Sequence, residues 1–323
     1  MSQPVDIKSF QFDSNLTQGI EGKRILITGS GKHQGLGQAF ALACGLNKAK
    51  YVGVHFNGSY EDGLETVDLI NQHGGNAFPV QADVTNTAEV WGIRSYVIKK
   101  MGGLPPNLLI CNSGITERGY ILGRAPKAID QETNAMRRSR TRKSFIKNLK
   151  ESTQVINTKI DGYLYMTHLW AGEALHFNDP LQVVYISSRQ AFDPGAGVPG
   201  YVLANHGVLP LPKLLRTNLK KQGDLIKAFS VTYPFVHTQM TQEYATNEKV
   251  FGRWQTRMLK TNEAALALLQ LLSRPAEELD EKIFQLNAQN ENNHLKLTWS
   301  QLYVTPEVKD LPWSEESPLS FDH

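Results

Sequence analysis

Short apolar and β-branched runs at 24–28, 50–56, 77–81, 107–111, 181–187, 226–233 and 283–287 alternate with longer amphipathic stretches, and this alternation restricts the chain more than any other feature. Strands separated by helix-length segments cannot pair as tight hairpins; they pair in parallel, with helices covering both faces of the sheet. The helical patterns fall at about 35–47, 60–73, 87–101, 143–177, 202–221 and 262–274, with Asn86 and Asn262 as N-caps. Right-handed crossovers then give a doubly wound α/β sheet of about seven strands, in one domain spanning 22–294. Pro210 and Pro212 each remove a backbone donor inside the fifth helical pattern, so that helix should kink or end early.

Three stretches stand outside the alternation. Residues 1–21 form a polar lead-in, 115–150 carry a basic insertion, and 237–261 join the sixth strand to the last helix as a lid with Tyr244, Phe251, Trp254 and Met258. A packed helix pair is the plainer explanation of that last stretch. The tail, 295–323, has two Lys against five Asp or Glu with Pro306, Pro312 and Pro318, and reads as an irregular C-terminal arm. With 323 residues, 41% of them hydrophobic, the chain can bury a sizeable core. Its formal charge of +3 does not by itself argue for nucleic acid. Cys44 and Cys111 sit apart in apolar runs, which excludes a disulfide framework and cysteine metal sites. No leader pattern opens the chain and no apolar run approaches the ~18 residues of a membrane span, so the expectation is a cytoplasmic protein without a membrane partner.

The first strand passes into the first helix through Thr28, Gly29, Ser30, Gly31, Lys32, His33, Gln34, Gly35, Leu36 and Gly37. Glycines let a pyrophosphate approach the backbone, and the helix N-terminus supplies N–H donors and the positive end of a dipole. A tight turn without ligand is the plainer alternative, because Gln34 breaks G-x-G-x-x-G, and Gln38 and Ala39 exclude a phosphate loop of the GK[ST] type. Three further signals lie at the C-terminal ends of successive strands, where open α/β sheets bind ligands. The second strand ends at Asn57 with no carboxylate to repel an adenosine 2′-phosphate, and Lys32 or His33 is available to pair with it, which favours NADPH over NADH. Asp83 with Val84 follows the third strand, placed to accept from an adenine amine or simply to cap a helix. Asn112, Ser113 and Gly114 close the fourth with a small-residue turn.

Thr28-Gly29 with Gly35-x-Gly37, then Asp83-Val84, Asn112-Ser113-Gly114, Ser187-Ser188 and Tyr201, in that order, resemble the short-chain dehydrogenase/reductase family across residues 22–290. The resemblance implies a Rossmann-like fold, an NADP(H) cofactor, Tyr201 as general acid and Ser188 as the residue orienting a carbonyl. Pro234, Val236 and Thr238 match the family's Pro-Gly loop, with Phe235 in place of the glycine. The glycine turn is two residues longer than the family's usual one, and Asn-Ser-Gly stands for its Asn-Ala-Gly.

The family's usual Tyr-x-x-x-Lys ends here in Asn205. A phenol with a pKa of roughly 10 is a sluggish acid near neutrality, and a nearby ammonium is what lowers it. Alignment through Gly162 and Thr167 puts Lys159 where most members carry a catalytic Asn, so Lys and Asn have changed places; Asn157 is the alternative if the register slips by two. This swap resembles the ketoreductase domains of polyketide and fatty-acid synthases, implying a tetrad of Lys159, Ser188, Tyr201 and Asn205, with Lys159 also holding the ribose.

Residues 136–150 contain Arg137, Arg138, Arg140, Arg142, Lys143, Lys147 and Lys150 and no acid. A solvated helix face is the plainer explanation. An acidic partner delivering an acyl thioester, either acyl carrier protein or a CoA phosphate, would match it, whereas the lack of interleaved aromatics disfavours nucleic acid. The reading is thus an NADPH-dependent ketoreductase of 3-ketoacyl or related substrates, acting as a homo-oligomer. Two alternatives stay open: an inactive NADP(H)-binding sensor or scaffold, and an enoyl-thioester reductase.

Overall fold

A computed structural model describes residues 5–117, 129, 131–195, 197–219, 224–242, 258–291 and 294–303. Among these residues, eight strands form one sheet in the order β3-β2-β1-β4-β5-β6-β7-β8. They are β1 (Arg24–Ile27), β2 (Tyr51–Phe56), β3 (Ala77–Gln81), β4 (Leu108–Cys111), β5 (Leu181–Ser188), β6 (Ile226–Tyr233), β7 (Ile283–Glu291) and β8 (His294–Leu302). All pairings are parallel except β7 with β8. The chain order reverses between β1 and β4, and there the strand ends diverge to leave a crevice.

The expected seven strands are therefore present and an eighth is added. Residues 295–302 are not irregular: Leu295, Leu297 and Trp299 alternate with polar residues and pair in antiparallel register with β7, for example Leu286 with Trp299. The rest of the predicted arm, 304–323, lies outside the described residues. Within the lid stretch, 243–257 with Tyr244, Phe251 and Trp254 also lies outside them, but its two ends are tied together, Leu259 N donating to Phe235 O and His237 N to Leu259 O at 3.0 and 2.7 Å.

The helices are α1 (Ser14–Thr17), α2 (Leu36–Gly45), α3 (Tyr60–Gln72), α4 (Thr87–Gly92), α5 (Arg94–Lys100), α6 (Asn134–Phe177), α7 (Pro199–Gly207), α8 (Leu211–Leu219) and α9 (Thr261–Leu272), followed by a single turn at Ala276–Leu279. Apolar clusters fill both sides of the sheet. One joins Phe40, Ile70 and Leu268 to Ile25 and Ile27; the other joins Tyr163, Trp170 and Val97 to Leu26 and Leu109. The lead-in is docked on the first, with Phe10 and Ile20 buried and Asn47 Nδ2 donating to Phe10 O at 2.7 Å.

Asn86 caps α4 as expected, accepting from Ala88 N at 3.0 Å. Asn262 does not cap α9; Lys260 occupies that position, Glu263 accepts its N–H at 2.8 Å, and Asn262 lies within the first turn. The two prolines act as their chemistry dictates: the fifth pattern is split into α7 and α8, and Pro210 O serves Leu214 N at 2.9 Å. Helix α6 starts nine residues before the expected 143 and runs 44 residues. Among the described residues, no helix is long and apolar enough to cross a membrane.

Candidate active site

Strand β1 ends in a turn whose shape the sequence enforces. Gly29 has φ +64, a region that suits glycine, and its N–H donates to His55 Nδ1 at 3.3 Å. That hydrogen bond requires His55 to be neutral with its proton on Nε2, and burial, the dominant cause, holds its pKa down to about 4. Thr28 Oγ1 ties the turn to the neighbouring strand end, accepting from Asn112 N and Ser113 N at 2.9 and 3.0 Å. A Cβ on Gly37 would lie 2.2 Å from Gly29 O and 2.5 Å from Asn112 Nδ2, so α2 can start this close to the turn only with glycine there. Gly37→Ala is accordingly expected to lower the unfolding free energy in urea by about 2 kcal/mol or more; a loss below ~0.5 kcal/mol would show that the turn relaxes freely.

Helix α2 begins without a side-chain cap and without an acid in its first turn. An uncapped N-terminus beneath a glycine turn is suited to an anion, and the residues present therefore fit the pyrophosphate of a dinucleotide. The cleft above the strand ends has a volume of about 1310 Å³. Its wall includes Gly29, Gly31, Lys32, Gly35, Leu36 and Gly37 from the turn, with Asn57, Asp83, Val84, Asn112, Ser113 and Gly114 from the next three strand ends. Pro234, Val236 and Thr238 line it after β6, and Lys159, Ser188, Tyr201 and Asn205 at its far end.

Two expected cofactor residues fall outside that wall. Ser30 is turned inward, its Oγ donating to Ile27 O at 2.8 Å. His33 is buried against α3, its N–H donating to Asp62 Oδ2 at 3.1 Å and its ring lying 3.7 Å from Glu65. Lys32 remains on the cleft, 3.7 Å from Asp62. Asp83 accepts from Thr85 N and Oγ1, both at 2.8 Å, which shapes the turn before α4 while leaving the residue on the cleft.

At the far end, α6 and α7 lie close together because Gly200 faces Ser152; a Cβ on Gly200 would be 2.6 Å from Ser152 O. This contact sets Lys159 on α6 and Tyr201 on α7 along one wall. Lys159 is 6% exposed, beside Gly114, and burial brings its pKa down to about 7. Its Nζ donates to Tyr163 Oη at 3.0 Å, and Tyr163 Oη donates to Ile186 O at 2.8 Å. Asn205 is fully buried; Nδ2 donates to Tyr201 O at 2.8 Å, and Oδ1 has no partner among the described residues. Ser188 Oγ accepts from Gln190 N at 3.2 Å, which fixes the hydroxyl at the end of β5.

Sequence reasoning passed over two residues that build this end. Glu117, 4% exposed, accepts the N–H groups of Gly200 and Tyr201, the latter at 3.2 Å, and so caps the helix that carries the phenol. Tyr163 holds Lys159. The contacts of Glu117 with α7 and of Tyr163 with Ile186 on β5 span elements distant in the chain, so spacing could not reveal them, although an acid in the loop after β4 and a Tyr one turn after Lys159 were visible as types.

The arrangement offers a phenolic hydroxyl, a second hydroxyl and a lysine beside one cleft, which suits proton transfer to an oxygen during reduction. Residues 23–249 match the family model described as short chain dehydrogenase. Among curated proteins, versicolorin reductase stcU of Emericella nidulans is 29% identical over 43% of this chain and 52% of its own length. Trihydroxynaphthalene reductase PfmaI of Pestalotiopsis fici is 29% identical over 35% of this chain and 38% of its own. The matched stretches thus span about half or less of these relatives. A short chain dehydrogenase from Burkholderia cenocepacia, solved in complex with NADP, superposes with TM-score 0.64 at 19% identity, covering 82% of this chain and 96% of that one.

Proposed function

The chain belongs to the short chain dehydrogenase family, and on that premise we propose that it is an NADPH-dependent ketoreductase acting on a 3-ketoacyl thioester or a related, including cyclic, ketone. The observation that carries the reading is the meeting of Lys159, Ser188, Tyr201 and Asn205 on one cleft wall, with Lys and Asn exchanged between α6 and α7. A sequence that had merely lost the usual lysine would not place another on the facing helix, buried and directed at the same cleft.

When bound, NADPH supplies the hydride to the carbonyl carbon. The turn from Gly29 to Gly37 and the start of α2 would hold its pyrophosphate. Asn57 leaves the end of β2 without a carboxylate, and Lys32 stands nearby for a 2′-phosphate. Tyr201 gives its phenolic proton to the developing alkoxide, and Ser188 donates to the same oxygen. Lys159, as the ammonium, favours the phenolate left behind; Asn205 offers its unpaired Oδ1 to Lys159 or to a water. The name of one relative, trihydroxynaphthalene reductase, supports a ketone on a fused ring as the alternative to an acyl thioester.

The basic arm bears on delivery. Arg137, Arg138, Arg142, Lys143, Lys147 and Lys150 are exposed on the first turns of α6, and Lys150 reaches the cleft. They form the surface we assign to an acidic carrier of the substrate. Pairing of two copies through α6 and α7, where Leu164 and Leu203 are exposed, belongs to the same proposal.

The test is NADPH oxidation by the purified protein with a short 3-ketoacyl thioester and with a bulky cyclic ketone, beside Lys159→Ala and with NADPH binding followed by fluorescence. Turnover reduced at least ~10²-fold in the variant is expected. Tight NADPH binding with no turnover on either ketone would instead identify a sensor or scaffold.

A further inference from the structure

We propose that Tyr163 is a positioning residue that holds the Lys159 ammonium in the cleft wall, tying the helix that carries the lysine to the strand that carries Ser188. The geometry stands without the ketoreductase reading; its effect on catalysis rests on that reading.

A lysine side chain is a flexible stem, and ordering it inside the protein costs rotamer freedom that a contact at its tip must offset. Tyr163 lies one helical turn after Lys159, the spacing at which two side chains on one face meet. Its ring is fully buried and stacked on Tyr185, with centroids 6.0 Å apart and planes at 26°. The phenol therefore cannot swing away. Its hydrogen is committed to Ile186 O at 2.8 Å, which leaves only lone pairs for Lys159, whose Nζ donates at 3.0 Å. Nζ also lies 5.0 Å from the centroid of the same ring, within range of the cation–π attraction. Both contacts favour the charged amine, and burial opposes it.

The polarity of this chain of bonds is fixed, because burial keeps the Tyr163 phenol protonated far above neutral pH. The titratable groups that face the pair are Cys111 from β4, Tyr185 from β5 and Tyr201 from α7. Burial raises the Cys111 thiol and the Tyr185 phenol out of the neutral range, so neither competes with Lys159 for a proton there. Ile186 is two residues before Ser188, so one tyrosine sets the distance between the two halves of the site.

Tyr163→Phe keeps the stacked ring and removes only Oη. The measurement is the pH dependence of Lys159 methylation by formaldehyde and cyanoborohydride in the full chain, read by peptide mass spectrometry, since only the neutral amine reacts. The midpoint is expected to fall by about one pH unit in the variant, and the alkaline limb of kcat for ketone reduction should move down with it. An unchanged midpoint in a folded variant overturns the proposal, because a tyrosine that merely fills space would not move it. A shifted midpoint in a chain that reduces no ketone leaves the positioning role standing and removes the ketoreductase reading. Should Tyr163→Phe fail to fold, 3-fluorotyrosine placed at 163 alone weakens the acceptor while keeping every contact; a smaller downward shift is then expected, and its absence is again overturning.

Discussion

Tyr201→Phe is expected to lower kcat for ketone reduction by about 10²–10⁴-fold, the range over which a single general acid contributes, while NADPH affinity changes less than about threefold. Phenylalanine fills the same space, and the backbone contacts that place residue 201, its N–H on Glu117 and its carbonyl on Asn205 Nδ2, do not involve the phenol. What disappears is the proton that neutralises the alkoxide. Ser188 remains and can stabilise the oxygen by hydrogen bonding, but its hydroxyl is a far weaker acid and cannot complete the transfer. Stopped-flow measurement of the hydride step separates this loss from slow product release. A decrease smaller than about tenfold in that step would assign the proton to another group and remove Tyr201 from its role.

Lys159→Met should make the protein more stable at pH 6.5 by about 4–5 kcal/mol even as it abolishes turnover. Burial lowers the pKa of Lys159 from 10.5 to about 7 in the folded chain, whereas the unfolded chain keeps the ordinary value. Between these two values the unfolded state binds more protons than the folded one, so stability rises with pH across the window. Below pH 7 both states carry the charge and the full desolvation cost is present; above 10.5 neither does and the cost is gone. Methionine has no such term, and the advantage of the variant should shrink by about half near pH 9 and vanish by 10.5. Urea unfolding at pH 6.5, 8 and 9.5 measures it. Parallel pH dependences for the two proteins would mean that Lys159 is as well solvated as a surface lysine. A residue retained against stability is the pattern expected of a site whose chemistry needs a displaced pKa.

The sheet was legible because buried parallel strands announce themselves as continuous apolar runs, and each of the seven expected strands is present, most with ends within a residue of the pattern. β8 was missed although Leu295, Leu297 and Trp299 keep a period of two, because the charges and prolines that follow outweighed three residues of alternation. The first nine residues of α6 were missed for a different reason. A solvated helix end has no buried face, so it leaves no apolar period to read, and Met136 is exposed there. That Lys159 and Asn205 face one cleft could be read from two short motifs, since a helix fixes its side chains by position alone. The supports could not: the bonds of Glu117 to the start of α7 and of Tyr163 to Ile186 on β5 depend on how separate elements dock. His33 stands in the glycine turn by sequence, yet its ring is buried beside Glu65 on α3, a contact that depends on how α3 docks.

Helix α6 also bears on how such a protein can change over evolutionary time. Its C-terminal two-thirds lie against the sheet and carry Lys159, and its N-terminal third stands in solvent on the same unbroken backbone ladder. Growth at the outer end adds length at about 1.5 Å per residue without altering the register of anything below. New recognition can therefore be tried one turn at a time while the chemical end is inherited unchanged, and a failed trial costs little more than the propensity of a few exposed residues.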